Sequence, residues 1–182
     1  MANSKSAYSV AGKKQKFDTH IIVVWVDNES GVLARVVGLF SGRGYNIESL
    51  AVAEVDQKQN ISRITIVTTG TPQVVDQIKL QLKKLVPVHK VADFKREDKN
   101  VIFKEMALFK FVANNIKLSK ALDACKNFNP VLLDKTNKSK VIQITALRRE
   151  IDIMTKNLKK FGLVSVSRTG AVAMTRGSEV FK

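Results

Sequence analysis

Two consecutive βαββαβ units, each an antiparallel sheet with both helices on one face, make up the α+β fold that the sequence predicts. Three observations predict it. Short β-branched runs alternate with amphipathic stretches at helical spacing, the same order of elements occurs twice, and the charged segment KREDKN (Lys95 to Asn100) separates the two occurrences.

The first unit opens with HIIVVWV from His20, a β-branched run that reads as a buried strand. Val32, Leu33, Val36, Val37 and Phe40 then recur at helical spacing, and GRGY, with Gly42 and Gly44, stops that helix. NIESLAVAEV and SRITIVTTG read as two strands joined by the polar turn DQKQN. Thr71 is placed to cap a second helix, with Pro72 at its first position and Val74, Val75, Ile78, Leu82 and Leu85 as its apolar stripe. PVHKVADF closes the unit as a strand.

In the second unit KEMALFKFV is a strand, and Leu118, Ala121, Leu122 and Cys125 form a helical stripe. PVLLD and KVIQITAL are strands. Leu147, Ile151, Met154, Leu158 and Phe161 mark a long amphipathic helix, and LVSVSRTG is the last strand. The chain thus divides into a flexible basic head (1–18), a first unit (19–94), a linker (95–103) and a second unit (104–182). With helices on one face only, the other face of the first sheet bears Ala51, Ala53, Val55 and Val67, and pairing with a second copy is expected to cover it.

Composition narrows the function classes. No run approaches the roughly 18 uncharged apolar residues of a membrane helix. The single Cys125 excludes an internal disulfide framework and a multi-cysteine metal site, and it fits a reducing, cytosol-like compartment. The head MANSKSAYSVAGKKQKF lacks the apolar core of a secretion signal, so a cytoplasmic location is expected, or an organelle if the head is what remains of a targeting segment. The net charge of +15 makes nucleic acid a partner to weigh, but the charge is spread over the chain. The two middle strands of the first unit carry no aromatic residue on which a base could stack, so no nucleic-acid partner is expected.

Catalytic motifs are lacking. There is no P-loop and no GxGxxG, and no spacing ties His20 or His89 to a carboxylate or to Cys125 as a metal or nucleophilic set. Cys125 reads as core. Glu29, Glu48 and Glu54 read as surface charge and turn polarity. The stretch that draws attention is DNESGVLARVVGLF, a polar turn with one glycine at the start of a helix. Helix-start N–H groups lack intrahelical partners and, with the helix dipole, favour an anion such as an amino acid's carboxylate. Gly31 would let a ligand reach the backbone, Asn28 offers a donor and an acceptor, and Val32 and Leu33 would supply an apolar wall. The simpler alternative is that Asn28 or Ser30 caps the helix and Gly31 only eases the chain into it.

NESGVLARVVGLFSGRGYNIESLAVA, SRITIVTTG and QIKLQLKKLVPVHKV, with EMALFKF and SRTGAVAMTRG further on, closely resemble the small, regulatory subunit of acetolactate synthase (acetohydroxyacid synthase). The resemblance covers nearly the whole chain from His20, with GLFSGRGYNIESL its most specific run. It implies two ferredoxin-like βαββαβ units, an N-terminal ACT domain that binds amino acids and a C-terminal small-subunit domain. It implies a homodimer that holds L-valine or a related branched-chain amino acid between two ACT domains. Asn28, Gly31, Val32 and Leu33 of one chain would face Asn46 and Ile47 of the other. It also implies a catalytic-subunit partner that carries thiamine diphosphate, magnesium and FAD, with no cofactor in this chain. The implied role is activation of that subunit and feedback inhibition by valine. A free-standing amino-acid sensor without an enzyme partner is the alternative. Two departures stand out. Ala34 replaces a serine found in some members, and the second half matches less well and is lysine-rich.

Overall fold

The computed structural model describes residues 17–96 and 98–178, so the basic head read over residues 1–18 lies outside it except for Phe17 and Asp18. The first unit runs β1 (Asp18–Asp27), α1 (Val32–Ser41), β2 (Ser49–Asp56), β3 (Ile61–Gly70), α2 (Pro72–Leu82) and β4 (Val88–Lys95). The second runs β5 (Val101–Val112), α3 (Asn115–Cys125), β6 (Val131–Lys135), β7 (Ser139–Ala146), α4 (Arg148–Leu158) and β8 (Leu163–Thr175), with one turn of 3-10 helix after each of its helices. Each unit has one four-stranded antiparallel sheet, in the orders β2-β3-β1-β4 and β6-β7-β5-β8. Two βαββαβ units are therefore present, as the sequence predicts.

Each helix side of a sheet has its own core. In the first unit Ile22, Val24, Val26, Ile64 and Ile66 of the sheet meet Val36, Phe40, Ile78 and Leu82 of the helices. In the second, Phe109, Phe111, Ile142 and Ile144 meet Leu118, Ile151 and Leu158. Burying each such side chain contributes about 1.5–3 kcal/mol. Thr71 caps α2 through its hydroxyl, with Pro72 opening the helix, and Asn114 caps α3 through its side-chain amide oxygen, which accepts from the Lys117 N–H. The stripe of α1 differs from the expected one. Val32, Val36, Leu39 and Phe40 are buried, whereas Leu33 is 41% exposed. Spacings of four, seven and eight residues keep one side of the helix against the sheet, and Leu33 lies off that side.

On the opposite face of the first sheet the expectation that a second copy covers it is corrected for Val67 alone, since Ala53 and Val55 remain exposed. Val67 is only 2% exposed within this one chain. It packs with Ile21, Val23 and Trp25 against Val101, Ala171 and Ala173 of the second unit. Two strands prove longer than the sequence suggested. β5 starts at Val101, inside the stretch read as linker, and β8 continues past Gly170 to Thr175. Their paired ends, Val101–Glu105 with Ala171–Thr175, form a two-stranded arm. A register shift between Glu105 and Ala107 separates the arm from the rest of the sheet. There Arg168 grips the buried Glu105 with two bonds of 2.6 and 2.9 Å and Asp152 with a third of 2.6 Å. These bonds, that to Glu105 first, hold the guanidinium in its charged form.

The arm is tied to the first unit by polar contacts as well. Arg63 donates to the carbonyl of Ala173 and lies 5.2 Å from the centre of the Trp25 ring. The Ala171 N–H donates to the Ser49 hydroxyl at 3.3 Å. Arg148, at the start of α4, stands 3.5 Å from both the carbonyl and the carboxylate of Glu48. Ala51, Ala53 and Val55 border a groove with Ile102, Val172 and Met174, and Val55 is exposed.

Cys125 is fully buried in the second core, and burial pushes its thiol from 9.0 up to about 11. The folded chain is expected to resist iodoacetamide at pH 8 and to react once unfolded in urea, as read by mass spectrometry. Because the folded state disfavours the thiolate, its contribution to stability is intact below 9.0 and is lost as pH rises through about 11. Gly170 has φ +81°, and a Cβ there would lie 2.5 Å from the Ser49 hydroxyl and 3.3 Å from the Leu50 carbonyl. Gly170→Ala should therefore cost about 1–3 kcal/mol and lower Tm by several degrees. An unchanged Tm would show that the arm does not press on β2 this closely.

Candidate functional site

The turn after β1 is held by the neighbouring hairpin. The Asp27 N–H donates to the Pro87 carbonyl at 2.9 Å, and the Asn28 N–H donates to the Asn60 carbonyl at 2.7 Å. Asn60, itself at φ 55°, returns its side-chain amide to the Asn28 carbonyl at 3.2 Å. The Asn28 side-chain oxygen accepts from the Ser62 hydroxyl at 3.0 Å. Asn28 is thus fixed by the β2–β3 turn and is not free to cap α1.

Nor does Ser30 cap it. The N-cap of α1 is Gly31, in the left-handed region at φ 86° and ψ −8°, and no side chain accepts from the helix start. This conformation explains the glycine, since other residues adopt it at a cost. Nothing lies within 4 Å of where a Cβ on Gly31 would be, so the turn opens onto unoccupied space. Glu29 reaches over to Arg35 at 3.3 Å, a pair exposed on both sides. Val32 turns into the core, which leaves Leu33 as the apolar side chain presented at the turn.

Asn46 and Ile47 lie at the other end of the same sheet. β2 starts at Ser49 rather than Asn46, and Asn46 is an exposed residue whose carbonyl accepts from the Thr68 hydroxyl at 2.7 Å. Ile47 packs on the first core. Thr68 pairs with His20, whereas Asn28 follows Asp27, seven residues further along β1. At about 3.3 Å per residue the two groups are on the order of 23 Å apart. One chain therefore does not bring them together.

Both histidines do meet carboxylates, contrary to the reading from spacing. His20 Nδ1 is 2.8 Å from Asp93 and His89 Nε2 is 2.6 Å from Asp27. Antiparallel pairing of β1 with β4 creates both contacts across more than sixty residues of sequence, which spacing does not reveal. Lys79 joins the first pair through Asp93 at 3.4 Å and holds Asp76 at 2.8 Å, which raises the lysine's pKa and lowers that of Asp76. Cys125 is in the other core, away from both histidines. Among the described residues no group of three or more His, Cys, Asp or Glu is placed to hold a metal ion.

Sequence reasoning missed the contacts of the second unit with Glu48 and Ser49, which directly follow Asn46 and Ile47. Glu48, read as surface charge, accepts from Thr69 and faces Arg148. The one available signal was Gly170 inside a strand pattern, which marks a bulge or a close backbone approach.

Residues 22–90 match the family described as the AHAS small subunit-like ACT domain, and residues 104–177 match the family described as small subunit of acetolactate synthase. The chain is 35% identical over 159 residues to the acetolactate synthase small subunit of Mycobacterium bovis, covering 87% of this chain and 93% of that protein. It is 38% identical over 157 residues to acetolactate synthase small subunit 2, chloroplastic, of Arabidopsis thaliana, covering 86% of this chain and 32% of the plant protein. The crystal structure of the Thermotoga maritima acetolactate synthase small subunit superposes with a TM-score of 0.79 at 30% identity, covering 88% of this chain and 99% of that one. With both units matched by these families, the chain belongs to the acetolactate synthase small-subunit family.

Proposed function

We propose that this chain is the non-catalytic regulatory subunit of acetolactate synthase, which raises the activity of the catalytic subunit and makes it sensitive to inhibition by valine. Family membership across both units supports the subunit role. The single observation that carries the ligand reading is the open start of α1, where Gly31 replaces a capping side chain and nothing occupies the space in front of it. A carboxylate there would meet the positive end of the helix dipole. Thiamine diphosphate, magnesium and FAD belong to the catalytic partner in this reading.

The site needs two chains. Asn28, Gly31 and Leu33 lie at one end of the sheet and Asn46 and Ile47 at the other, so a homodimer would bring the second group of one chain against the first group of its partner. A ligand gripped in this way favours one dimer geometry over others. That difference in affinity is what allows valine to shift the enzyme between states.

Two variants test the ligand site. Gly31→Ala imposes a backbone cost of about 1–2 kcal/mol and Gly31→Asp somewhat less, and the Cβ of either meets no neighbour. Only the aspartate adds a negative charge where the ligand's carboxylate would lie. Calorimetric titration with L-valine should show binding to Gly31→Ala and none to Gly31→Asp, both folded by circular dichroism. Equal affinity in the two would remove the turn from the site.

Asn46→Ala is expected to weaken valine binding about tenfold, as the loss of one charge-assisted hydrogen bond does. Its Tm should shift by less than about 2 °C, since no hydrogen bond to its side chain is made among the described residues. A large Tm drop with unchanged affinity would make Asn46 structural. Reconstitution with the catalytic subunit tests the role itself. A chain that binds valine but leaves turnover and its valine response unaltered would be a free-standing sensor.

A further inference from the structure

Between the first unit and the start of α4 lies a cleft of about 840 Å³, within the roughly 300–1,000 Å³ range of small-molecule pockets. It is separate from the Asn28–Gly31 turn, and cations outnumber acids in its lining. Arg96, Lys104, Arg148, Arg149 and Arg176 line it, together with Glu48, Asp98 and Glu150. All three acids are committed within the protein. Glu48 accepts from Thr69 and faces Arg148, Asp98 accepts from the Asn100 N–H at 2.9 Å, and Glu150 folds back on the Leu147 N–H at 2.8 Å.

The cations are not committed to the same degree. Among the described residues the side chains of Arg96, Lys104, Arg149 and Arg176 make no ion pair or hydrogen bond. Arg148 Nη1 is buried yet has no partner, while Nη2 is used on Glu48. Arg148 and Arg149 also occupy the first turn of α4, the positive end of its dipole, where cations are disfavoured. A buried guanidinium N–H without a partner is unfavourable unless an acceptor joins it, and the four exposed cations that line the same cleft can close on an anion seated there.

We infer that this cleft binds a small oxyanion of two or more negative charges, a phosphate- or polycarboxylate-bearing molecule. Guanidinium forks present paired N–H donors that match phosphate and carboxylate oxygens. Bound there, the anion would touch residues of both units at once, Arg96 on the first and Arg148, Arg149 and Arg176 on the second. It would thereby strengthen the junction that the arm makes with β2.

The test is titration of the full chain with inorganic phosphate and, separately, with citrate, at constant ionic strength set by potassium chloride. Wild type should bind at least one of the two saturably, with one site per chain. Arg149→Gln combined with Arg176→Gln should weaken that binding at least tenfold, and Arg96→Gln alone should weaken it measurably. Lys120→Gln combined with Lys156→Gln, which removes two exposed charges outside the cleft, should leave it unchanged. Among the described residues none of the removed side chains has a partner, so Tm without ligand should be alike in all variants. Absence of saturable binding to either probe, or equal loss in the cleft and control variants, would overturn the assignment.

Discussion

A β-sheet covered by helices on one side still has a second side, and in the first unit the central strand is apolar on that side too. β1 sets the constraint. Ile22, Val24 and Val26 point to the helices, and Ile21, Val23 and Trp25 point away from them, all buried. A strand buried on both faces needs two covers. The helices supply one and the paired ends of β5 and β8 supply the other. The length of those two strands, the register shift at Glu105 and the close approach at Gly170 all serve to bring the second unit onto this face. Arg168, bonded to Glu105 and Asp152, holds the place where the arm leaves its own sheet.

This arrangement puts the second unit in contact with a particular stretch of the first. Glu48 meets Arg148, Ser49 meets Ala171 and Gly170, and Arg63 meets Ala173. Glu48 and Ser49 come directly after Asn46 and Ile47. A ligand that draws Asn46 toward a partner chain would pull on the segment to which the second unit is fastened. Packed interiors transmit such displacements because they do not yield smoothly. The coupling would then run through two residues of backbone and three polar contacts, with no long relay across the domain.

Much of the fold was legible because it is local. The element order, the Thr71–Pro72 helix start and the cores of α2, α3 and α4 follow from spacing within a dozen residues. The features that were not legible depend on pairing across the chain. His20 with Asp93 and His89 with Asp27 arise from antiparallel register between β1 and β4. The cover over Val67 arises from strand ends more than thirty residues away, one of which began in a segment whose charge suggested a linker. In α1 the period of the pattern was right but its phase was not, because Leu33 and Leu39 both suit a helical stripe and only the packed sheet chooses between them. At the candidate site the resemblance already divided the two groups between chains, and the strand register adds that they lie at opposite ends of one sheet.

The glycine at position 31 is weak support for a ligand when taken alone, since φ 86° would select glycine in any protein. The stronger point is what stands in place of a cap. Thr71 and Asn114 cap α2 and α3, and Glu150 satisfies the backbone at the start of α4. At α1 Ser30 makes no capping bond, and Asn28 is already engaged by Ser62 and held by Asn60. Omitting a cap costs about 1 kcal/mol. A ligand present at ten times its Kd stabilises the form that binds it by about 1.4 kcal/mol. The two magnitudes are alike, so a carboxylate seated at the helix start would restore the free energy that the open turn leaves out. The stability of α1 would then depend on the amino-acid concentration, which is the property a feedback sensor requires.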